Sequence, residues 1–87
     1  MMKKNKIKFV GSDNCKKCVI LFNLIKDYIK QKKLDMVIEK INAISDEAIN
    51  LAIDFDINTV PFAIFKNKKI IYTKEINNND LENFLND

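Results

Sequence analysis

Two short apolar runs that flank one long helical pattern constrain the fold of this chain more than any other feature. Residues 7–10 alternate once and then become apolar, which is typical of a strand with buried neighbours. From about Cys15 to Gln31, apolar residues recur at helical spacings and form a stripe broad enough to lie on a sheet. Residues 36–38 predict a second strand, which is expected to be parallel to the first because a helix joins them.

The next segment predicts a second helix. Ser45 or Asp46 is expected to cap it, because a short polar side chain can accept a hydrogen bond from the first helical turn. Residues 54–58 end the pattern. The apolar face would consist of Ala48, Ile49, Ala52 and Ile53.

A hairpin and a terminal helix complete the pattern. Residues 62–65 and 69–73 have strand patterns, and the turn at 66–68 is short enough for the two strands to pair antiparallel. Asn79 and Glu82 have the spacing of a capping box and open a last short helix. The order β-α-β-α-β-β-α predicts an α/β fold with a four-stranded mixed sheet and helices on both faces.

Composition indicates one small globular domain. Eighty-seven residues, 47% of them hydrophobic and 31% charged, suffice for one modest core, so we expect a single domain over residues 1–87. The longest apolar run is far shorter than the roughly 20 residues of a membrane span. We therefore expect a cytoplasmic monomer that does not associate with membranes.

The missing residue types exclude several kinds of chemistry. Without His, the chain has no Ser–His or Cys–His nucleophile pair and no His-ligated metal. All fifteen basic residues are Lys, and the absence of Arg argues against base readout in nucleic acid, despite the net charge of +3. The chemistry is left to Cys, Lys, carboxylates, hydroxyls and the backbone.

The only two cysteines stand in the sequence Cys15-Lys16-Lys17-Cys18, where the first predicted helix begins. Cα atoms three residues apart in a helix are about 5–6 Å apart, within the range of a disulfide. The helix N-terminus favours a Cys15 thiolate and lowers the pKa of that thiol, and Lys16 and Lys17 add positive potential. Cys18 lies on the apolar stripe and should be more buried. This asymmetry suits dithiol exchange, in which Cys15 attacks a substrate disulfide and Cys18 resolves the mixed disulfide.

Two other interpretations of the cysteine pair remain open. The cysteines could pack as small hydrophobic residues in a redox-inert interaction module. They could also supply half of a metal site, which would need carboxylates or a second chain because no other Cys or His is present.

The only proline, Pro61, lies at the start of the predicted third strand. Proline has no backbone N–H and cannot donate a hydrogen bond to a neighbouring strand, so its position at a strand start calls for a structural explanation. It could simply begin the strand, or it could follow a cis Val60–Pro61 bond that shapes a surface beside the cysteines.

These motifs, in this order, resemble the thioredoxin/glutaredoxin superfamily over essentially the whole chain. The resemblance implies a thioredoxin-like fold, with Cys15 as nucleophile, Cys18 as resolving cysteine and Pro61 as the cis-proline. It also implies that the backbone of Val60 pairs with the bound substrate. The predicted substrate-binding residues are Lys16, Lys17, Thr59, Val60 and Pro61.

The sequence departs from both subfamilies. Asn14 stands where thioredoxins have an aromatic residue, and Phe9 stands where they have a buried Asp. Lys16 and Lys17 replace the Gly-Pro of thioredoxins and the Pro-Tyr of glutaredoxins. The loop at 76–80 lacks the Gly-Gly pair that helps glutaredoxins hold glutathione.

The resemblance implies a thiol–disulfide oxidoreductase that reduces disulfide-containing protein substrates. A thioredoxin-reductase-type enzyme or glutathione would be its electron donor. No bound cofactor is required, because the cysteines carry the electrons, although glutathione could be a co-substrate. A glutathione-dependent glutaredoxin is the alternative within the same superfamily.

Overall fold

The computed structural model describes residues 5–12, 14–72 and 76–85. Within them the elements follow the predicted order. They are β1 (Asn5–Gly11), α1 (Lys16–Lys32), β2 (Met36–Asn42), α2 (Asp46–Asp54), β3 (Phe62–Phe65), β4 (Lys68–Ile71) and α3 (Asn78–Leu85).

The strands form a mixed sheet in the order β2-β1-β3-β4. β1 and β2 are parallel, whereas β3 is antiparallel to both of its neighbours. The parallel pair is joined through α1, as the sequence predicts. The predicted α/β fold with a four-stranded mixed sheet is therefore confirmed.

Helices cover both faces of this sheet because successive strand residues point in opposite directions. On one face, Ile7 and Phe9 of β1 pack in a cluster with buried residues of α1 and α3. On the other face, Val10 packs in a second cluster that includes Ala48 of α2. The start of α1 thus lies over the same face of the sheet as Phe9.

The predicted apolar face of α2 is wrong in part. Ala48 is buried, but Ile49 is 50% exposed and Ile53 is 70% exposed. Ala52 packs against the second cluster as predicted, and Leu51 and Phe55 take the places expected for the two isoleucines. The inward residues therefore follow Ala48 at helical intervals of three, four and seven residues. This spacing is as regular as the predicted one, but the buried face is rotated about the helix axis. The predicted cap is confirmed, since the Ser45 hydroxyl accepts a hydrogen bond from the Ala48 amide at 3.2 Å.

The predicted start of the last helix is also wrong. Asn77, rather than Asn79, precedes the first turn of α3, and its side-chain oxygen accepts a hydrogen bond from the Asp80 amide at 2.9 Å. The Asp80 carboxylate accepts one from the Asn77 amide at 3.1 Å. Asp80 thus takes the reciprocal position that was predicted for Glu82, because its short side chain reaches back over one turn.

The second hairpin strand begins and ends earlier than predicted. β4 spans Lys68–Ile71 rather than residues 69–73, and Tyr72 follows it as irregular chain. Thr73, the last residue of the predicted strand, lies outside the described residues.

Candidate functional site

Cys15 caps the N-terminus of α1 with its sulfur atom. Its backbone is extended, and its Sγ accepts a hydrogen bond from the backbone amide of Cys18 at 3.1 Å. Asn14 before it has a φ of 60°, a left-handed conformation that Asn tolerates better than most residues. The first turn of α1 contains no acidic residue. Negative charge on Cys15 would therefore meet free amide groups and the positive end of the helix dipole.

Cys15 and Cys18 form a disulfide, with Cα atoms 5.2 Å apart. Their exposure differs as the apolar stripe predicts: Cys15 is only partly buried, whereas Cys18 is 4% exposed. Lys16 and Lys17, between them, are exposed to solvent. The pair thus offers one accessible sulfur and one sheltered sulfur.

Gly11 and Ser12 lie against the sheltered sulfur. The Ser12 backbone amide is 3.5 Å from the Cys18 Sγ and donates a hydrogen bond to it. A Cβ atom added to Gly11 would lie 3.1 Å from that Sγ and 3.0 Å from a ring carbon of Phe9. The only glycine therefore allows α1 to approach the end of β1 closely. The sequence showed Gly11 only as the end of a strand, and no local signal revealed this second role.

Pro61 lies at the same end of the sheet as the cysteines. Val10 pairs with Phe62, so the antiparallel register continues to Gly11 and Pro61 at the point where β1 ends. The Val60–Pro61 peptide bond is cis, which is the geometry expected if this proline shapes a surface beside the cysteines. The Pro61 side chain is less than 2% exposed, whereas Thr59 and Val60 are exposed.

An open cavity of about 560 Å³, here called the Cys18 cavity, lies beside the sheltered cysteine. Its walls come from the start of α1, the end of β1 and the end of β2. They include Gly11, Ser12, Cys18, Phe22, Lys40 and Asn42.

The part of the chain that the structure describes contains neither a metal-binding cluster nor a membrane-spanning helix. No group of three or more His, Cys, Asp or Glu side chains that could hold a metal ion occurs among these residues. None of the helices described is both long and apolar enough to cross a membrane.

Solved structures with a similar fold include thioredoxin 1 of Thermosipho africanus, which is 23% identical with a TM-score of 0.57, over 91% of this chain and 88% of that one. A point variant of the thioredoxin-like protein BC3987 is 23% identical with a TM-score of 0.60, and the match covers 98% of this chain and 97% of that one. An uncharacterised thioredoxin-like protein from Clostridium perfringens is 21% identical with a TM-score of 0.61, and the match covers 94% of this chain and 73% of that one.

No family model matches the sequence, and a search of curated proteins gives no match. The structural likeness, at these identities, concerns the fold. It extends over nearly the whole chain and includes the mixed four-stranded sheet with its three helices. The chain therefore has the thioredoxin-like fold.

Proposed function

We propose that this protein is a thiol–disulfide oxidoreductase that reduces disulfide bonds in protein substrates. The observation that carries this proposal is the pairing of Cys15 with Cys18 across the first turn of α1, with one sulfur accessible and the other buried. Such a pair can exchange electrons with a substrate while the backbone keeps its position.

In the first step, the Cys15 thiolate attacks one sulfur of the substrate disulfide. A bond forms between Cys15 Sγ and that sulfur, the substrate disulfide breaks, and the other substrate sulfur leaves as a thiolate. The Cys18 amide, 3.1 Å from the Cys15 Sγ, is placed to stabilise the attacking thiolate.

In the second step, the Cys18 thiolate attacks the Cys15 Sγ of the mixed disulfide. The Cys15–Cys18 bond forms, and the second substrate sulfur leaves as a thiolate. Two electrons pass from the protein dithiol to the substrate, and the two protons of the dithiol pass through solvent to the substrate thiolates. Both cysteines belong to one chain, with Cα atoms 5.2 Å apart, so this ring closure is intramolecular and benefits from the high effective concentration of the second thiol.

The substrate would lie across the exposed rim of the site. The exposed Lys16 and Lys17 follow Cys15 directly, and Thr59 and Val60 precede the buried Pro61 at the same end of the sheet. The Val60 backbone would hydrogen-bond to the extended substrate chain beside its disulfide. Pro61 would form the floor beneath it.

The electron donor would be a thioredoxin-reductase-type enzyme or glutathione. The cysteines themselves carry the electrons, so the reaction needs no bound cofactor. We propose that the protein acts as a monomer in the cytoplasm, where reducing systems keep cysteine pairs in the dithiol form that this reaction needs.

Catalysis of insulin-disulfide reduction by dithiothreitol tests the proposal. The wild-type protein should accelerate the reaction, and a variant with both cysteines replaced by Ser should not. An uncatalysed rate with the wild-type protein, together with failure of its disulfide to accept electrons from glutathione, would contradict the proposal.

Two further assays separate the alternatives. Reduction of a glutathionylated substrate or of hydroxyethyl disulfide by glutathione would identify a glutaredoxin. Metal analysis of protein purified without added zinc tests the metal-binding module, for which stoichiometric metal would be found.

A further inference from the structure

The segment that joins α2 to β3 carries Thr59 and Val60, the two exposed residues before Pro61. In the proposed reaction the Val60 backbone pairs with the substrate chain, so the position of this segment affects substrate binding. Residues 55–61 form neither helix nor strand. Contacts with other parts of the chain must therefore hold them in place.

At its first end, the segment leaves α2 through a tight helix cap. The Asp56 amide donates a hydrogen bond to the Ile53 carbonyl at 3.2 Å, and the Ile57 amide donates one to the Ala52 carbonyl at 2.7 Å. Asp56 has a φ of 55°, the left-handed conformation in which such caps usually have Gly. Ile57 is buried in the second cluster. The cap thus sets the direction in which the segment leaves the helix.

The same end of α2 is negatively charged. Its last turn contains no basic residue, the helix ends at Asp54, and Asp56 follows closely. Both carboxylates lie near the negative end of the helix dipole, where negative charge is unfavourable. A positive group from another element would therefore stabilise the cap.

Lys69 of β4 supplies a positive group at this place. Its Nζ donates a hydrogen bond of 2.6 Å to the carbonyl of Phe55, the C-cap residue of α2. Lys69 is the register partner of Ile64, which packs in the second cluster, so its side chain leaves the sheet on the face that α2 covers. An ammonium group beside the last carbonyls of a helix interacts favourably with its dipole.

The hairpin also holds the other end of the segment. The amide of Tyr72, directly after β4, donates a hydrogen bond to the Pro61 carbonyl at 3.3 Å. The hairpin therefore contacts the segment at both ends, through the Lys69 side chain at Phe55 and through the backbone at Pro61. Val60 lies between these two contacts.

We propose that Lys69 is a positioning residue for substrate binding, because its hydrogen bond to Phe55 holds the segment that presents the Val60 backbone. This inference rests on the proposed function. A segment that is already ordered loses less conformational entropy when a substrate chain pairs with it, so the contact favours binding. The effect concerns substrates long enough to pair with Val60 and leaves the chemistry of the cysteines unchanged.

The test compares Lys69→Met with Lys69→Arg, since Met removes the charge and keeps a long aliphatic side chain, whereas Arg restores a charged donor. Lys68→Met is the matched control. Lys68 precedes Lys69 on β4 and donates a hydrogen bond to the Asn83 carbonyl of α3 at 3.1 Å, so it makes the same kind of contact on the opposite face of the sheet.

Two readouts separate positioning from a general loss of stability. Hydrogen exchange of the Ile57 amide measures opening of the cap and does not depend on redox activity. The second readout is the KM and kcat for reduction of a disulfide-bonded peptide in the presence of dithiothreitol. Hydroxyethyl disulfide is the reference substrate, because it is too short to pair with Val60.

Lys69→Met is expected to speed Ile57 exchange by about two- to fivefold and to raise the KM of the peptide by a similar factor, with kcat and the rate on hydroxyethyl disulfide unchanged. Lys69→Arg should restore both values, and Lys68→Met should change neither. Unchanged exchange or an unchanged KM in Lys69→Met, or equal changes in Lys68→Met, would overturn the role of Lys69. Absence of disulfide reduction by the wild-type protein would instead contradict the proposed function, and it leaves the exchange readout intact.

Discussion

The two sulfur atoms of the site are bonded to each other, but their surroundings are built in different ways. Cys15 depends on its own helix, because its Sγ accepts the Cys18 amide at the N-terminus of α1. Cys18 depends on segments outside its own helix, because Gly11 and Ser12 approach it at the end of β1 and Lys40 lines the same cavity from β2. The contacts of the attacking sulfur are thus set by local structure, whereas those of the resolving sulfur are set by the packing of α1 on the sheet.

The largest expected effect comes from removing the accessible sulfur. Cys15→Ser should lower the rate of protein-disulfide reduction by about a thousandfold or more, because the remaining thiol, that of Cys18, is buried and lacks a partner to resolve the mixed disulfide. Turnover in the insulin assay measures the effect. Serine can still cap α1, so an unchanged circular dichroism spectrum would show that the fold is intact. Activity near that of the wild type would break the assignment of Cys15 as the nucleophile.

The next effect tests the packing around the sheltered sulfur. Gly11→Val should lower the free energy of unfolding by about 1–3 kcal/mol, because the added atoms meet Cys18 and Phe9. Urea unfolding of the reduced protein measures this loss. Thr59→Val, at an exposed position before Pro61, is the control and should change stability little. A Gly11→Val protein as stable as wild type would show that α1 does not pack closely against the end of β1 at Gly11.

A smaller effect concerns the sulfur as a helix cap. In a Cys18→Ser background, Cys15→Ala should be less stable than Cys15→Ser by about 1 kcal/mol, because Ala leaves a first-turn amide of α1 without an acceptor. Urea unfolding of the two double variants gives this difference directly. As a reference, Ser45→Ala removes the corresponding acceptor from α2 and also the hydrogen bond that the Ser45 hydroxyl donates to the Asn42 carbonyl at 2.7 Å, so it should cost at least as much. Equal stability of the two double variants would mean that the residue 15 side chain does not cap α1.

The smallest effect is expected at the exposed lysines beside Cys15. Lys16→Gln and Lys17→Gln should each slow exchange by less than about twofold, and added salt should erase the difference, because solvated charges are screened. Rates with a small neutral disulfide, measured at low and high ionic strength, provide the comparison. A tenfold loss that persists in salt would show that these lysines act on the Cys15 thiolate through more than a solvated, screened charge.

The order of the elements and the place of the cysteine pair could be predicted because both depend on residues close in sequence. The apolar periodicities gave the helices and strands, and the position of Cys15 after the first strand gave its place at the start of α1. The inward face of α2 could not be predicted with the same success. Two apolar stripes are available in that helix, and only its packing against Val10 and Ile41 selects one of them.

The surroundings of Cys18 could not be predicted, because they depend on how separate segments meet. Lys40 is in the cavity only because the parallel register places it beside Phe9. Gly11 matters only because α1 brings Cys18 to the end of β1. No pattern near either residue in the sequence indicates that it lies close to the sheltered cysteine.

The difference between the two sulfurs is tested most directly by trapping the intermediate. Cys18→Ser and Cys15→Ser variants are reduced, mixed with oxidised glutathione and followed by intact-protein mass spectrometry. Cys18→Ser should accumulate one glutathione per chain as a mixed disulfide on Cys15, whereas Cys15→Ser should acquire it far more slowly because Cys18 is buried. Equal rates of adduct formation in the two variants would contradict the assignment of Cys15 as the attacking sulfur and Cys18 as the resolving one.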